Sequence, residues 1–185
     1  MKKKLKTAAL SVFDEKGFHQ ASIRDIAARA GCSLPTLYYH YGSKEHLYEE
    51  AVCGTYRLIS EQISDQIPEG LPLRDVWYFS VMQRRLLADD DRRVFRLAHK
   101  IMLGLDNAGA ASENLILYEQ ERRAGDRKRV MEEIADPVFA RLLLRVTDQM
   151  LLSALLEDDG LDQEDIRREL DMLFDAAGQG GTGPA

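Results

Sequence analysis

Hydrogen-bonding aromatic side chains are crowded into the stretch LPTLYYHYGSKEHL, residues 34–47. It holds three tyrosines and a histidine in succession at residues 38–41. A buried phenol oxygen needs a buried hydrogen-bond partner, so a run of this kind is expected to lie partly on the surface. A surface tyrosine hydroxyl can donate to a phosphate oxygen, which makes a phosphate backbone one partner that this stretch could bind.

The charge distribution is consistent with such a partner near the N-terminus. The 185 residues carry a formal net charge of -6, yet residues 1–48 hold eight lysines and arginines against four acidic residues. The remaining residues are strongly acidic, with 17 basic and 27 acidic side chains. A basic segment joined to an acidic one indicates that only the first meets a polyanion, although a charge cluster is often no more than a solvated surface.

Helix signals on either side of a short turn position these residues. Ser22, with Asp25 three residues later, forms a capping-box pattern and begins one helix, which Gly31 ends. Ser33 can cap the next helix, and Pro35 stands in its first turn, where the missing N–H costs nothing. A turn of about three residues between two helices forces a sharp crossing angle, so the pattern predicts a helix-turn-helix.

An amphipathic helix precedes this pair. Its apolar face, which stops at Gly17, consists of Ala8, Val12 and Phe13. Leu37 has the type and spacing of a core residue of the three-helix unit. Tyr41 is predicted to pack under the turn rather than to face DNA.

The region is similar to a known family. Residues 22–52, SIRDIAARAGCSLPTLYYHYGSKEHLYEEAV, together with the helix before them, resemble the DNA-binding domain of the TetR family of transcriptional regulators. The resemblance covers roughly residues 5–53 and departs from many members at Pro35, where they have glycine. It implies an all-α protein with a helix-turn-helix DNA-binding domain over residues 1–48, a larger helical effector-binding and dimerisation domain over 49–177, and a flexible tail over 178–185.

The same resemblance implies which residues contact double-stranded DNA. They are Ser22, Arg24, Leu34, Pro35, Thr36, Tyr38, Tyr39, His40 and Lys44. Tyr38 and His40 would contact phosphates, while the first turn of the recognition helix and Tyr39 would lie near base edges in the major groove. Arg24 would pair with a guanine, or is otherwise an ordinary surface arginine. Lys44 begins the helix that Ser43 caps, where free backbone N–H groups also favour a phosphate.

The later helices predict two further sites. A long helix is expected from Ser43 to about residue 63, followed by helices over 73–88, 92–105, 111–135, 137–157 and 162–176, with a possible interruption at Gly125. An effector site is predicted from aromatic and methionine side chains: Trp77, Phe79, Met82, Phe95, His99 and Met102. The same side chains would also suit an ordinary core, and His99 would then be a structural histidine.

The last two helices carry apolar residues on several faces, which indicates a partner as well as a core. The residues predicted to form a homodimer interface are Leu143, Met150, Leu151, Ile166, Leu170 and Phe174. The resemblance implies a dimer that binds a palindromic operator as a repressor and is released from it by a small, largely apolar effector. The alternative is a helical protein-interaction module that keeps the fold without binding DNA.

Several other classes of protein are disfavoured. The two cysteines, Cys32 and Cys53, have no metal-ligand spacing, and no catalytic constellation stands out, so neither an enzyme nor a cofactor is predicted. The GxGxxG match at Gly178–Gly183 lacks a strand before it and a helix after it, and the acidic run at 157–160 lacks the spacing of a calcium loop. No apolar run is long enough to span a membrane, which favours a cytoplasmic protein.

Overall fold

The computed structural model describes residues 1–156 and 162–179, which form helices and turns with no strand in these ranges. The helices are α1 (Lys2–Gln20), α2 (Ile23–Ala30), α3 (Leu34–Tyr41), α4 (Lys44–Tyr48), α5 (Gly54–Asp65), α6 (Leu73–Arg85), α7 (Asp89–Met102), α8 (Ala110–Glu133), α9 (Pro137–Leu156) and α10 (Gln163–Gln179). The predicted all-α fold class is confirmed, and so is the helix-turn-helix near the N-terminus. None of the described helices has the combination of length and hydropathy that crossing a bilayer requires.

The predicted serine caps fix the start of three successive helices. The side chains of Ser22, Ser33 and Ser43 each accept a hydrogen bond from the backbone N–H three residues later, at 3.1, 3.3 and 3.0 Å. Each bond satisfies one of the N–H groups that a helix start leaves without an internal partner. Gly31 ends α2 in the left-handed conformation, with φ 65° and ψ 40°. The chain therefore turns within three residues, from Gly31 to Ser33, before α3 begins.

The first helix differs from the prediction at its C-terminal end. Gly17 has φ 71° and ψ 170°, so the backbone leaves the helical conformation there, but one further turn follows and α1 ends at Gln20. A side chain rarely adopts such dihedrals, which is the reason a glycine occupies this break. The sequence pattern correctly located the interruption and missed the turn beyond it.

The predicted long helix from Ser43 contains a feature that periodicity did not show. Residues Glu49–Cys53, between α4 and α5, form a π-helical turn, and the chain stays helical on both sides of it. A β-carbon at Gly54 would lie 3.3 Å from the backbone oxygen of Glu49, which is a tight contact. The extra residue in this turn changes which side chains face inward along the rest of the helix.

The chain divides into two compact units. The first contains Met1–Glu61 and Ala88–Gln120, and the second contains Gln62–Leu87 with the described residues from Glu121 onward. Phe13, Leu37 and Phe95 are among the fully buried side chains of the first unit. The second has its own core around Leu73, Trp77, Val81, Leu143, Ile166 and Leu170. This division does not coincide with the functional boundary predicted after residue 48, which remains a prediction.

Three sequence interpretations concern the C-terminal half. Gly125 does not interrupt α8, which is helical throughout Ala110–Glu133. The acidic run at 157–160 lies outside the described residues. So does the tail from residue 180, although Gly178 still belongs to α10.

Candidate nucleic-acid interface

The inner faces of α2 and α3 hold the helix-turn-helix together. Ile26 and Leu37 are fully buried, as is Val12 of α1. Tyr41 is also buried, and its hydroxyl donates to the backbone oxygen of Lys2 at 3.3 Å. Burial raises the pKa of Tyr41, and the nearby carboxylate of Glu50 raises it further. Leu37 and Tyr41 are therefore structural residues, as predicted.

The outer face of α3 presents the other aromatic side chains to solvent. Tyr38 is 50% exposed and Tyr39 is 86% exposed, and within the described part of the chain neither hydroxyl has a hydrogen-bond partner. His40 is half-buried and its ring stacks edge-on against that of Tyr39, with centroids 5.3 Å apart. Three adjacent groups able to hydrogen-bond thus remain available to an external partner. This is the geometry expected of a helix that enters a major groove about 12 Å wide.

The side chains in the first turn of α3 differ in exposure and in hydrogen bonding. Pro35 is exposed, whereas Leu34 and Thr36 are half-buried. The Thr36 hydroxyl lies 2.8 Å from that of the cap residue Ser33, so the two oxygens share a hydrogen bond. A hydroxyl can both donate and accept, so Thr36 retains capacity for a base edge. The base contacts of these residues remain predictions.

Arg24 differs from two other cationic side chains of α1 and α2, Lys16 and Arg29. Arg29 donates to both Glu15 and Ser11, and Lys16 bonds Asp25 at 2.8 Å. Arg24 is exposed, and among the described residues it makes no hydrogen bond or ion pair. Its five donors are free for a ligand, which is what bidentate pairing with a guanine requires.

Lys44 makes contacts that the sequence did not reveal. Its ammonium donates to the backbone oxygens of Phe18 and Ala21, at 2.9 and 3.1 Å, and lies 4.3 Å from the centroid of the Phe18 ring. Two of its three donors therefore stabilise the end of α1. The predicted phosphate contact would use the remaining N–H. Sequence reasoning missed this role because Lys44 is distant in the chain from these two carbonyl groups, which the end of α1 leaves without a helical partner.

The six residues predicted to line an effector site fall in different units. Trp77, Phe79 and Met82 belong to the second unit, where Trp77 is part of the core. The other three, Phe95, His99 and Met102, belong to the first. Phe95 is buried with its ring 4.8 Å from that of Tyr56, and the Nδ1 atom of His99 lies 2.9 Å from the Phe95 carbonyl oxygen. Their part in effector binding remains a prediction.

A cleft of about 390 Å³ lies elsewhere in the second unit, between α6, α9 and α10. Its apolar wall is formed by Val81, Val146, Met150 and Ile166, and Arg85, Arg145 and Glu169 are among its polar residues. None of the six predicted effector-site residues lines it. Sequence periodicity could not locate this cleft because its walls combine α6 with α9 and α10, which come much later in the chain.

The predicted dimer interface needs revision at three positions. Leu143, Ile166 and Leu170 are at most 2% exposed, because they fill the core of the second unit. A partner chain could bury them no further. The other three, Met150, Leu151 and Phe174, are half-buried around the same core. The exposed large apolar side chains on these two helices are Val138, Leu142 and Met172, at 65%, 50% and 68% exposure.

The N-terminal helices match a known family model. Residues 5–51 match the model of the bacterial regulatory proteins of the tetR family. This range contains most of α1 and all of α2 to α4, with both exposed groups described above on α2 and α3.

Curated relatives are also regulators. An uncharacterized HTH-type transcriptional regulator, YdgC of Bacillus subtilis, is 26% identical over 179 residues that cover 88% of this chain and 87% of the relative. The transcriptional activator FasR of Mycolicibacterium smegmatis is 51% identical over 41 residues, covering 22% of this chain and 19% of its own. The negative regulator IcaR of Staphylococcus aureus is 38% identical over 52 residues, 28% of each chain. All three names describe transcriptional regulators rather than enzymes.

Solved structures extend the likeness of fold over the whole chain. A TetR-like transcriptional regulator from Rhodococcus sp. RHA1 superposes with a TM-score of 0.67 at 19% identity, covering 98% of this chain and 95% of that one. The multidrug binding protein EbrR, complexed with malachite green, gives 0.62 at 21% identity and covers 94% and 97%. The family match assigns a TetR-type helix-turn-helix DNA-binding domain to residues 5–51, and the relatives and solved structures support a TetR-family transcriptional regulator.

Proposed function

We propose that this protein is a homodimeric repressor that binds a palindromic operator through α2 and α3 and leaves it when a small, largely apolar molecule binds. The observation that carries the operator contact is a group of exposed donors on adjacent helices with no partner in the part of the chain that the structure describes: Arg24, Tyr38 and Tyr39. Tyrosine hydroxyls would fix the register on the phosphates and Arg24 would read a base. A module that only bound proteins would have no need of this combination.

The dimer is supported by symmetry and by exposed apolar surface. A two-fold dimer presents two recognition helices to two half-sites, so its operator repeats with the same symmetry. Val138 and Leu142 stand four residues apart on α9, on one side of the helix, and both are exposed. Met172 is the exposed large apolar residue among the described side chains of α10. A partner that covers these side chains would remove apolar area from water.

Effector release and repression have different kinds of support. EbrR, which shares the fold, was crystallised with malachite green, and this supports a small aromatic or apolar effector for this chain. The matches to FasR and IcaR extend over only 41 and 52 residues, and one is an activator while the other is a negative regulator. Repression therefore rests on steric reasoning: a dimer on an operator that overlaps a promoter blocks polymerase. Because the proposed partner is operator DNA, we propose that the protein acts in the bacterial cytoplasm.

Selection from random duplex DNA tests the proposal. The full chain should enrich an inverted repeat, and the enriched duplex should bind with a Kd of about 10 nM or tighter at moderate salt. The affinity should fall steeply as salt rises, because phosphate contacts release counterions. Enrichment of no sequence, or of a sequence without two-fold symmetry, would contradict the palindromic operator.

A further inference from the structure

The break in α1 frees two backbone groups. In a continuous helix the N–H of Phe18 would donate to the carbonyl oxygen of Asp14, four residues earlier. The dihedrals of Gly17, φ 71° and ψ 170°, separate these two groups. A donor and an acceptor withdrawn from the helix ladder must find other partners when they are not in water.

Both freed groups find their partners at the end of α7. The Phe18 N–H donates to the two carboxylate oxygens of Asp106, at 3.2 and 3.0 Å. The Asp14 carbonyl oxygen accepts from the ammonium of Lys100 at 3.2 Å, and the same ammonium pairs with the Asp14 carboxylate at 3.3 Å. Lys100 lies in the last turn of α7 and Asp106 in the loop that follows. The Tyr48 hydroxyl also lies 3.4 Å from the Asp106 carboxylate.

The segment held in this way leads directly into the DNA-contacting helix. Only residues 18–21 separate Gly17 from Ser22, the cap of α2. The carbonyl oxygens of Phe18 and Ala21 are held in turn by Lys44 at the start of α4. Bonds from the α7 end and from α4 therefore act on the four residues that place Ser22 and Arg24.

We propose that Asp106 and Lys100 are positioning residues for DNA binding: they hold the two backbone groups freed at Gly17 and so set where α2 begins. They touch no DNA themselves. The inference rests on the proposed function in that Arg24 is taken to contact the operator. A displacement of the end of α7 would therefore move the start of α2.

The test compares Asp106 with a second contact between α1 and α7. Asp90 accepts from the hydroxyl of Thr7, well before the break in α1, at 2.8 Å, so Asp90→Ala is the matched control. For each folded variant, the Kd is measured on the selected operator and on a scrambled duplex of the same length. Asp106→Ala should lower the ratio of specific to random affinity by roughly 2- to 30-fold, whereas Asp90→Ala should leave it unchanged.

Asp106→Asn serves if the alanine variant does not fold, because it keeps the size of the side chain and loses its charge. It should shift the backbone amide resonances of Ser22 and Arg24 in a ¹⁵N-labelled sample without DNA, and Asp90→Ala should not. A lower melting temperature with an unchanged specificity ratio and unchanged amide shifts would reduce Asp106 to a purely structural residue and overturn the inference. If the parent binds no duplex, the proposed operator contact is wrong, while the amide shifts still decide the positioning role.

Discussion

At the scale of single residues, Arg24 is the side chain whose substitution separates reading of bases from binding of phosphate. Arg24→Ala removes a bidentate partner for one base pair, so it should cost about 1–3 kcal/mol on the operator and little on random DNA. The variant should then bind the operator and a duplex changed at one base pair per half-site with similar affinities. Equal losses on all sequences would show that Arg24 contacts only the backbone.

Lys44 should behave differently because it stabilises the protein as well as facing the predicted phosphate. Lys44→Ala removes two bonds to backbone oxygens, and we expect it to lower the free energy of unfolding by about 1–2 kcal/mol. It should also weaken binding to all sequences by a similar factor. Lys3→Ala is the control for general charge, since Lys3 is exposed and has no partner among the described residues. Unchanged stability in the Lys44 variant would contradict its structural role.

The pH dependence of stability should carry the signature of Asp14. Although burial alone would raise the pKa of Asp14, its bonds with Arg96 and Lys100 lower it below the ordinary value of 3.8. A depressed pKa contributes stability above the unfolded value, and that contribution is lost as the pH falls through the folded value. The difference in unfolding free energy between the parent and Asp14→Asn should therefore be constant above about pH 5 and shrink below pH 4.

A control variant isolates that effect. Glu69→Gln changes an exposed carboxylate with no partner among the described residues. The difference in unfolding free energy between the parent and this variant should therefore not shrink below pH 4 as it does for Asp14→Asn. Urea denaturation at a series of pH values measures both. If the difference in unfolding free energy between the parent and Asp14→Asn stays the same at the lowest pH, the charge of the Asp14 carboxylate does not stabilise the contact with α7.

At the scale of helices, the elements that local chemistry specifies were predictable. Caps at Ser22, Ser33 and Ser43, the glycine at the end of α2 and the apolar spacing of Leu37 are all encoded within a few residues. The π-helical turn at Glu49–Cys53 was not, since no capping residue, glycine or proline within these five residues marks it. The turn beyond Gly17 was missed for a related reason: its stabilising partners, Lys44 and Asp106, are distant in sequence.

The helices α9 and α10 allow the dimer prediction to be tested with paired substitutions. Leu142→Glu places a charge on the exposed side of α9 and should give a folded monomer. Leu143→Glu buries a charge in the core. Its free energy of unfolding should therefore fall by at least the ~2–5 kcal/mol that a large-to-small core substitution costs. Sedimentation and circular dichroism distinguish these outcomes. Lys128→Glu, on an exposed position of α8, should remain dimeric and folded.

If Leu142→Glu and Met172→Glu both sediment like the parent, the interface lies on other helices. The sequence pattern could not tell which of the neighbouring residues Leu142 and Leu143 faces the core. Apolar residues on several faces of α9 indicate two kinds of contact, but only packing shows that Leu143 faces the core and Leu142 faces outward.

At the scale of the whole chain, contacts do not follow the linear order of the predicted domains. Arg96 and Lys100 of α7 pair with Asp14 of α1, more than 80 residues earlier, and this places α7 in the same compact unit as the helix-turn-helix. A boundary after residue 48 was inferred from the end of the family resemblance. The ion pairs that join α7 to α1 lie on exposed and half-buried side chains, which sequence periodicity does not pair.

The last prediction concerns the effector, which should weaken operator binding only if it binds the DNA-incompetent state more tightly. A coupling of about 1–3 kcal/mol, or 5- to 150-fold, is ordinary, and operator DNA should weaken effector binding by the same factor. A thermal-shift screen of apolar metabolites and drugs on the parent should yield ligands that release DNA.

Two filled variants then locate the site: Met102→Trp obstructs the predicted site, and Val146→Trp obstructs the cleft between α6, α9 and α10. A ligand that no longer stabilises the Met102 variant supports the predicted site, and one lost only with Val146→Trp assigns binding to the cleft. Ligands that stabilise both variants as they do the parent, or that bind without releasing operator DNA, would contradict effector control through either place.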